Sequence, residues 1–341
     1  MLKRLTELDG VSGYEKNVRE VIIEQIKDYA DLYKTDAMGN LIVLKKAKSG
    51  GDNALNVILS AHMDEVGFIV TEITGDGMLK FDTVGGIDPS VLASKRVRKG
   101  ALKGVIGLKP VHLISAGEKE KALLYDELFI DIGALSKEEA AKYVMPGDYF
   151  AFDSSYKPMG KNFVKAKALD DRLGCAVLIE LLKEEYNCNL ICLFSVQEET
   201  GLRGAKTASF GIDADYAVVI EGTTAGDVTG AEMHMTVTRA GGGAALSIMD
   251  SSSIADKELL QMLEDTAAEN NIKIQYKSAA TGGNDAGAIH TANGGIRTCS
   301  VSVPARYIHS ASSVICLDDF ESVKALAKAF LKSLKPFEEV L

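Results

Sequence analysis

In Leu59-Ser-Ala-His-Met-Asp-Glu-Val-Gly67 a histidine and a carboxylate stand two residues apart, just after the apolar run Asn56-Val-Ile-Leu59. Residues i and i+2 of a strand share a face, so His62 and Asp64 can lie side by side. A metal-binding imidazole wants such a neighbour: one ring nitrogen takes the ion while the other donates to a carboxylate that fixes the tautomer. Further candidates fall at the ends of other elements: Asp170 and Asp171 in KALDDRLG, Glu198 and Glu199 in SVQEETGLRG, Glu221 closing AVVIEG, and His309 in PARYIHS. Each alone also fits an ordinary role: a polar strand end for His62, a helix N-cap for Asp170 or Asp171, a solvated strand end for Glu198 and Glu199, a turn carboxylate for Glu221, a loop histidine for His309. Together, two imidazoles and three carboxylates are the donor set of a pair of borderline-hard divalent ions, with one carboxylate bridging and each ion adding one histidine and one further carboxylate. Adjacent strand residues point to opposite faces, so one of Glu198 and Glu199 can reach a metal and the other the attacking water. That division of labour is metal-assisted hydrolysis. His112, His234 and His290 lack a carboxylate-rich strand-end setting and read as structural.

These positions need a scaffold. Ser12-Gly-Tyr-Glu15 reads as a capping box that opens a helix with apolar residues at 18, 21, 22, 26 and 29. The runs near 40–46 and 56–61, divided by a Gly/Asp/Asn stretch, read as neighbouring strands joined by a turn. From about 67 to 161 the texture changes to short strand-like pieces (GFIVTEI, MLKFDTVGG, GVIGLK, LFIDIGA, DYFAFD), the pattern of a small all-β, barrel-like domain. Afterwards DDRLGCAVLIELLKEE, DKELLQMLEDTAAENN and FESVKALAKAFLKSLK read as helices, alternating with the strands NLICLFSV, YAVVIEG and IRTCSVSV. The alternation predicts an α/β fold with a mostly parallel central sheet and helices on both faces. Residues 1–66 and 162–341 then form one catalytic domain, interrupted by an inserted β domain at 67–161. In open α/β sheets ligands gather beyond the carboxyl ends of the strands, where the candidate residues can converge.

Composition narrows the function classes. The 38 basic against 48 acidic residues give a net charge of −10, with no basic run to bind nucleic acid or an anionic membrane. No segment approaches a membrane span and the start lacks the apolar core of a secretory signal, so a cytoplasmic location is expected. Five cysteines, without a Cys-x-x-Cys pair and mostly among apolar residues, read as reduced core residues. The glycine pairs and triplet at Gly85-Gly86, Gly241-Gly242-Gly243 and Gly282-Gly283 match neither phosphate-binding fingerprint.

The ordered set HMDEVG, ALDDRLG, QEETGLRGA, a strand ending in an acid plus glycine, GGND and PARYIHS resembles the M42 peptidases, cytosolic metallo-aminopeptidases, over essentially the whole chain. The resemblance implies two zinc or cobalt ions, with His62 and His309 each on one ion, Asp170 bridging, Glu199 and Glu221 completing the two sites, Asp64 orienting His62, and Glu198 as general base. It also implies peptide substrates, and dimerisation through the inserted domain on the way to a dodecamer. Two departures stand out: the family usually has Asp at the position of Glu221, and Arg239-Ala-Gly-Gly-Gly-Ala-Ala lacks the family's basic residue and proline. Rival readings are a related carboxypeptidase or N-acyl amidohydrolase, a glycoside hydrolase using paired carboxylates, and a catalytically silent assembly protein.

Overall fold

In the computed structural model, which describes residues 1–49, 51–113, 122–232, 236–278 and 282–335, the alternation of strand and helix builds one large mixed sheet. The chain runs through β1 (Leu32–Thr35), β2 (Leu41–Lys45) and β3 (Asn56–His62), and then leaves the sheet. It next makes β4 (Gly67–Ile73), β5 (Leu79–Val84), β6 (Arg96–Lys99), β7 (Leu102–Gly107), β8 (Phe129–Asp131) and β9 (Tyr149–Phe152). These six antiparallel strands close a barrel around Phe68, Phe81, Phe150 and Phe152. The chain returns to the sheet with β10 (Lys157–Met159), β11 (Phe163–Ala166), β12 (Asn189–Ser195), β13 (Tyr216–Thr224), β14 (Ala244–Ser247), β15 (Ile274–Lys277), β16 (Arg297–Arg306) and β17 (Ser313–Cys316).

The long path through the sheet is β1-β2-β12-β3-β13-β16-β17-β11-β10, and its four central strands, β12, β3, β13 and β16, are parallel. Flanking strands are antiparallel. The central strands are buried on both sides, which explains why they read as continuous apolar runs rather than alternating ones. Val57, Leu59 and Ala61 of β3 face the helices Lys16–Ile26, Leu169–Leu181 and Leu317–Ser333, whereas Ile58 faces the short helices Arg203–Ala208 and Ala286–Ile289. Helices therefore cover both faces. All five cysteines are free and buried.

Two local expectations fail. The helix starts at Lys16, one residue beyond Glu15, so Ser12 caps nothing; its hydroxyl donates to Asp64 at 2.6 Å, and Glu15 instead accepts the N–H groups of Gly13 and Gln197. Tertiary partners claimed both ends of an apparent capping box. Nor are β2 and β3 neighbours, because β12 lies between them, antiparallel to β2 and parallel to β3. The short linker is no guide, since a strand that starts 133 residues after the start of β3 takes the intervening place.

Candidate metal centre

Parallel pairing brings the candidate residues to one edge of the sheet. His62 ends β3 opposite Ser195, which ends β12, so the segment carrying Glu198 and Glu199 emerges beside Asp64. Glu221 lies on β13 opposite Ser302 of β16, and His309 follows β16 in a left-handed conformation (φ 57°). Asp170 opens the helix Leu169–Leu181, which packs against β3 and β13.

The resulting geometry has two halves. His62 Nε2 lies 3.2 Å from Asp170 Oδ1 and 3.3 Å from Glu221 Oε1. His309 Nε2 lies 3.5 Å from Asp170 Oδ2 and 3.2 Å from Glu199 Oε2. Asp170 thus offers one oxygen to each imidazole. Its neighbour Asp171 is differently employed, accepting the N–H groups of His62 and Gly174 at 3.2 and 2.9 Å. Glu198 Oε2 stands farther off, 3.9 Å from His62 Nε2, and lines a cavity with Asp170, Glu199 and Glu221.

Asp64 organises the centre from behind. Oδ1 accepts the Glu198 N–H at 3.0 Å and faces His62 Nδ1 at 3.4 Å, while Oδ2 accepts the Glu199 N–H at 3.1 Å and the Ser12 hydroxyl. The 3.4 Å approach is too long and poorly aimed to satisfy His62 Nδ1 fully. Strand alternation is not what separates Glu198 from Glu199, because β12 ends at Ser195. The turn does it, with Gln197 left-handed (φ 53°) and both amides held on one carboxylate.

Charge is crowded in this edge. Burial, aided by neighbouring carboxylates, drives Glu198 and Glu221 well above the usual range and Glu199 up to about 7. Burial acts against ionisation of the imidazoles, yet hydrogen bonds to Asp170 and the charge of adjacent carboxylates lift His62 well above its ordinary value and His309 to about 9. Four largely buried carboxyl groups around two imidazoles hold more negative charge than the imidazoles can balance. Oxygen and imidazole donors of this number, presented on both sides of Asp170, fit a pair of divalent cations.

The M42 glutamyl aminopeptidase family model matches residues 39–326. The chain belongs to the M42 peptidase family. It is 33% identical to the glutamyl aminopeptidase of Lactococcus lactis, with 98% of this chain and 95% of the relative covered, and 31% identical to the lysyl aminopeptidase of Pyrococcus furiosus, with 99% and 98% covered. Among solved structures it resembles the Pyrococcus horikoshii TET1 peptidase, which can assemble into a tetrahedron or a large octahedral shell. That likeness has a TM-score of 0.85 at 36% identity and covers 98% of both chains.

For an M42 chain the positioning network is as informative as the candidate ligands, and sequence reasoning missed most of it. Fully buried Lys167 binds Glu65 at 2.6 and 2.7 Å, and fully buried Arg172 binds the carbonyls of Met63 and Leu5, both at 2.7 Å. This clamp fixes the segment holding His62 and Asp64 to the helix holding Asp170. Gly10 carries its trace in the sequence: a Cβ there would stand 2.6 Å from Arg172 Nη2. The barrel also reaches the centre, since a Cβ on Gly85 (φ 86°) would come 3.2 Å from that of Glu199. A further buried acid, Asp285 of the GGND stretch, accepts the Ser195 hydroxyl, and burial pushes it up to about 6. His290 bonds the Ala286 carbonyl at 2.7 Å and His112 is exposed, both away from the centre; His234 lies outside the described residues.

Proposed function

We propose that the chain is an aminopeptidase that removes N-terminal residues from peptides with the help of two divalent ions, zinc or cobalt. His62, Asp170 and Glu221 would hold one ion, and His309, Asp170 and Glu199 the other. The single observation that carries this reading is Asp170, whose two oxygens face His62 and His309 separately in a chain of the M42 family. Such ions, when bound, supply the Lewis acidity that peptide hydrolysis needs. Glu198, beside the ligands but farther from His62, takes the proton of the attacking water and passes it to the leaving amine. Asp64 holds His62 in the tautomer with Nε2 free to ligate, and its grip on the Glu198 and Glu199 amides aims both side chains. Glu221 reaches the His62 side with its longer side chain although the family usually has Asp there.

The same reading makes the barrel region, residues 67–161, the dimerisation domain of a cytoplasmic dodecamer, in line with the assemblies of the TET1 relative. The site test compares metal content and turnover on unblocked and N-acetylated peptides. Glu198→Gln should retain both ions while turnover falls on the order of 10²–10⁴-fold. Glu199→Gln should lose an ion as well. Cleavage of acetylated peptides at an equal rate would favour an N-acyl amidohydrolase, and activity in excess chelator would refute the metal reading.

A further inference from the structure

His309 lines two cavities. One is lined by the carboxylates of the candidate centre, Asp170, Glu198, Glu199 and Glu221. The other, of about 440 Å³, is lined by Gly86, Asp88 and Lys95 from the barrel region and by Tyr307–Ser312, and among the described residues none of those four carboxylates borders it. Its Ser312 side is basic. The Ser312 hydroxyl lies 3.5 Å from that of Ser154, which accepts the Lys165 ammonium at 2.8 Å. Lys165 stands opposite Lys157 in the β10–β11 pair, and Arg96 of β6 is its other charged neighbour. Among the described residues, no carboxylate forms a salt bridge with Lys95, Arg96, Lys157 or Lys165. The nearby acids are spoken for: Asp88 accepts the Ser90 amide at 2.7 Å, and Asp153 is held by Arg98 and Lys103, each at 3.2 Å. Burial, and after it the charges of Arg96 and Lys157, hold the Lys165 pKa below its usual value, as befits cations gathered without an anion.

A peptide carries a charge of each sign, one at either end. This step rests on the two-ion aminopeptidase reading. The N-terminal amine belongs in the carboxylate-lined cavity, so the chain beyond the cut bond passes His309 into the other one. Ser312 follows His309 by three residues, which limits the separation of their Cα atoms to about 11 Å, and two or three extended residues of substrate span about 7 to 10 Å. We infer that the basic cluster around Lys165 binds the C-terminal carboxylate of the substrate, so that the protein selects tri- and tetrapeptides with a free C-terminus. Lys165 is placed for this on a sheet strand, with Ser154 fixing its ammonium. A longer peptide carries its carboxylate past the cluster, and an amidated one brings no charge to it.

The test uses the full-length protein loaded with zinc or cobalt. A panel of aminoacyl p-nitroanilides, which lack a carboxylate, first identifies the preferred N-terminal residue, and the tripeptide of that residue followed by two glycines is then compared with its C-terminal amide. The free acid should exceed the amide in kcat/KM by about 10- to 100-fold, mostly through KM, the worth of one charge-assisted hydrogen bond. Lys165→Met should remove most of that advantage while the amide and the p-nitroanilide stay within about twofold of wild type. Arg96→Met, at an exposed position, should shrink the advantage in the same direction and keeps the test decisive if Lys165→Met folds poorly. Free glycylglycine should inhibit p-nitroanilide cleavage more strongly than its amide, and a ten-residue peptide should be cleaved at the same rate as its amide. Equal wild-type rates on the tripeptide acid and amide, an acid advantage that persists in both variants or at ten residues, or equal losses on acid and amide would overturn the inference while leaving the aminopeptidase reading intact. Failure to cleave any p-nitroanilide or peptide, with no metal bound, would overturn both.

Discussion

Asp64 is the most consequential single carboxylate behind the proposed centre, and Asp64→Asn tests it with one atom changed. Its Oδ1 accepts the Glu198 N–H and stands 3.4 Å from His62 Nδ1, and its Oδ2 accepts the Glu199 N–H and the Ser12 hydroxyl. An asparagine must put its NH₂ on one side. If the NH₂ takes the place of Oδ1, the Glu198 amide is left buried against another donor, and His62, accepting at Nδ1, carries its proton on Nε2, where it can no longer ligate. If it replaces Oδ2, Ser12 can turn and accept, but the Glu199 amide is left buried against another donor. That orphaned N–H costs about 1–3 kcal/mol, and weakening the remaining bond to a neutral acceptor adds about 1 kcal/mol. The expected loss is thus about 2–4 kcal/mol of stability, together with a 10- to 100-fold loss of metal affinity through the misdirected His62 or Glu199. Urea unfolding of chelator-treated protein measures the first, and calorimetric zinc titration the second. Ser12→Ala supplies the scale, since it removes one donor and leaves both amides satisfied, at about 1 kcal/mol. Asp64→Asn that unfolds at the wild-type midpoint and binds zinc as tightly would refute this account of how the two glutamates are aimed.

Three further outcomes follow from the same geometry. Asp170→Asn should lower zinc content more than His62→Ala does, because Asp170 faces both imidazoles; elemental analysis after zinc loading decides it. Glu65→Gln leaves the buried Lys167 with Asp9, 3.7 Å away, as its remaining counter-charge and should cost about 3 kcal/mol in chemical denaturation, while Glu65→Gln with Lys167→Met should recover a large part. Burial raises Glu15 from 4.5 to about 7, so its folded form binds the proton more tightly than the unfolded chain, and stability attributable to it is present below pH 4.5 and lost as pH rises through about 7. Glu15→Gln, which keeps an acceptor for Gly13 and Gln197, should therefore be more stable than wild type by roughly 3 kcal/mol at pH 8 and equal to it at pH 4, as read by thermal melts.

What was legible in the chain depended on how local the signal was. The strongly periodic helices at 169–181, 257–269 and 317–333 and the apolar runs of β3, β12 and β13 declare themselves because burial dictates composition residue by residue. Strand order does not: nothing in residues 41–62 says that β12 will separate β2 from β3. Ser12 and Glu15 carry the composition of a helix cap, yet their oxygens serve Asp64, Gly13 and Gln197, two of which lie distant in sequence. The candidate ligands were readable from residue type at strand ends, whereas Lys167 and Arg172 look like ordinary surface cations until the fold buries them. A lysine among alanines, as in Lys165-Ala-Lys167-Ala, gives no hint that one of its members is fully enclosed.

The clamp between Glu65 and Lys167 closes a chain loop of 102 residues that contains the entire barrel. On chain statistics alone, bringing such distant ends together costs about 4 kcal/mol, and doubling the excursion adds only about 0.6 kcal/mol. Apart from the turn at Gly85 and Gly86, which touches Glu199 and His309, the barrel can therefore lengthen, shorten or exchange its turns with little thermodynamic effect on the acids and imidazoles outside it. The timing is less forgiving. His62 and Asp170 are 108 residues apart, so they meet only after the excursion has been gathered in, and contacts of such long range form late and slowly. Refolding followed at once by pulse-labelled hydrogen exchange of the barrel amides and by a zinc-sensitive dye should show zinc uptake lagging behind closure of the barrel, making ion capture a proofreading step that only a completed fold can pass.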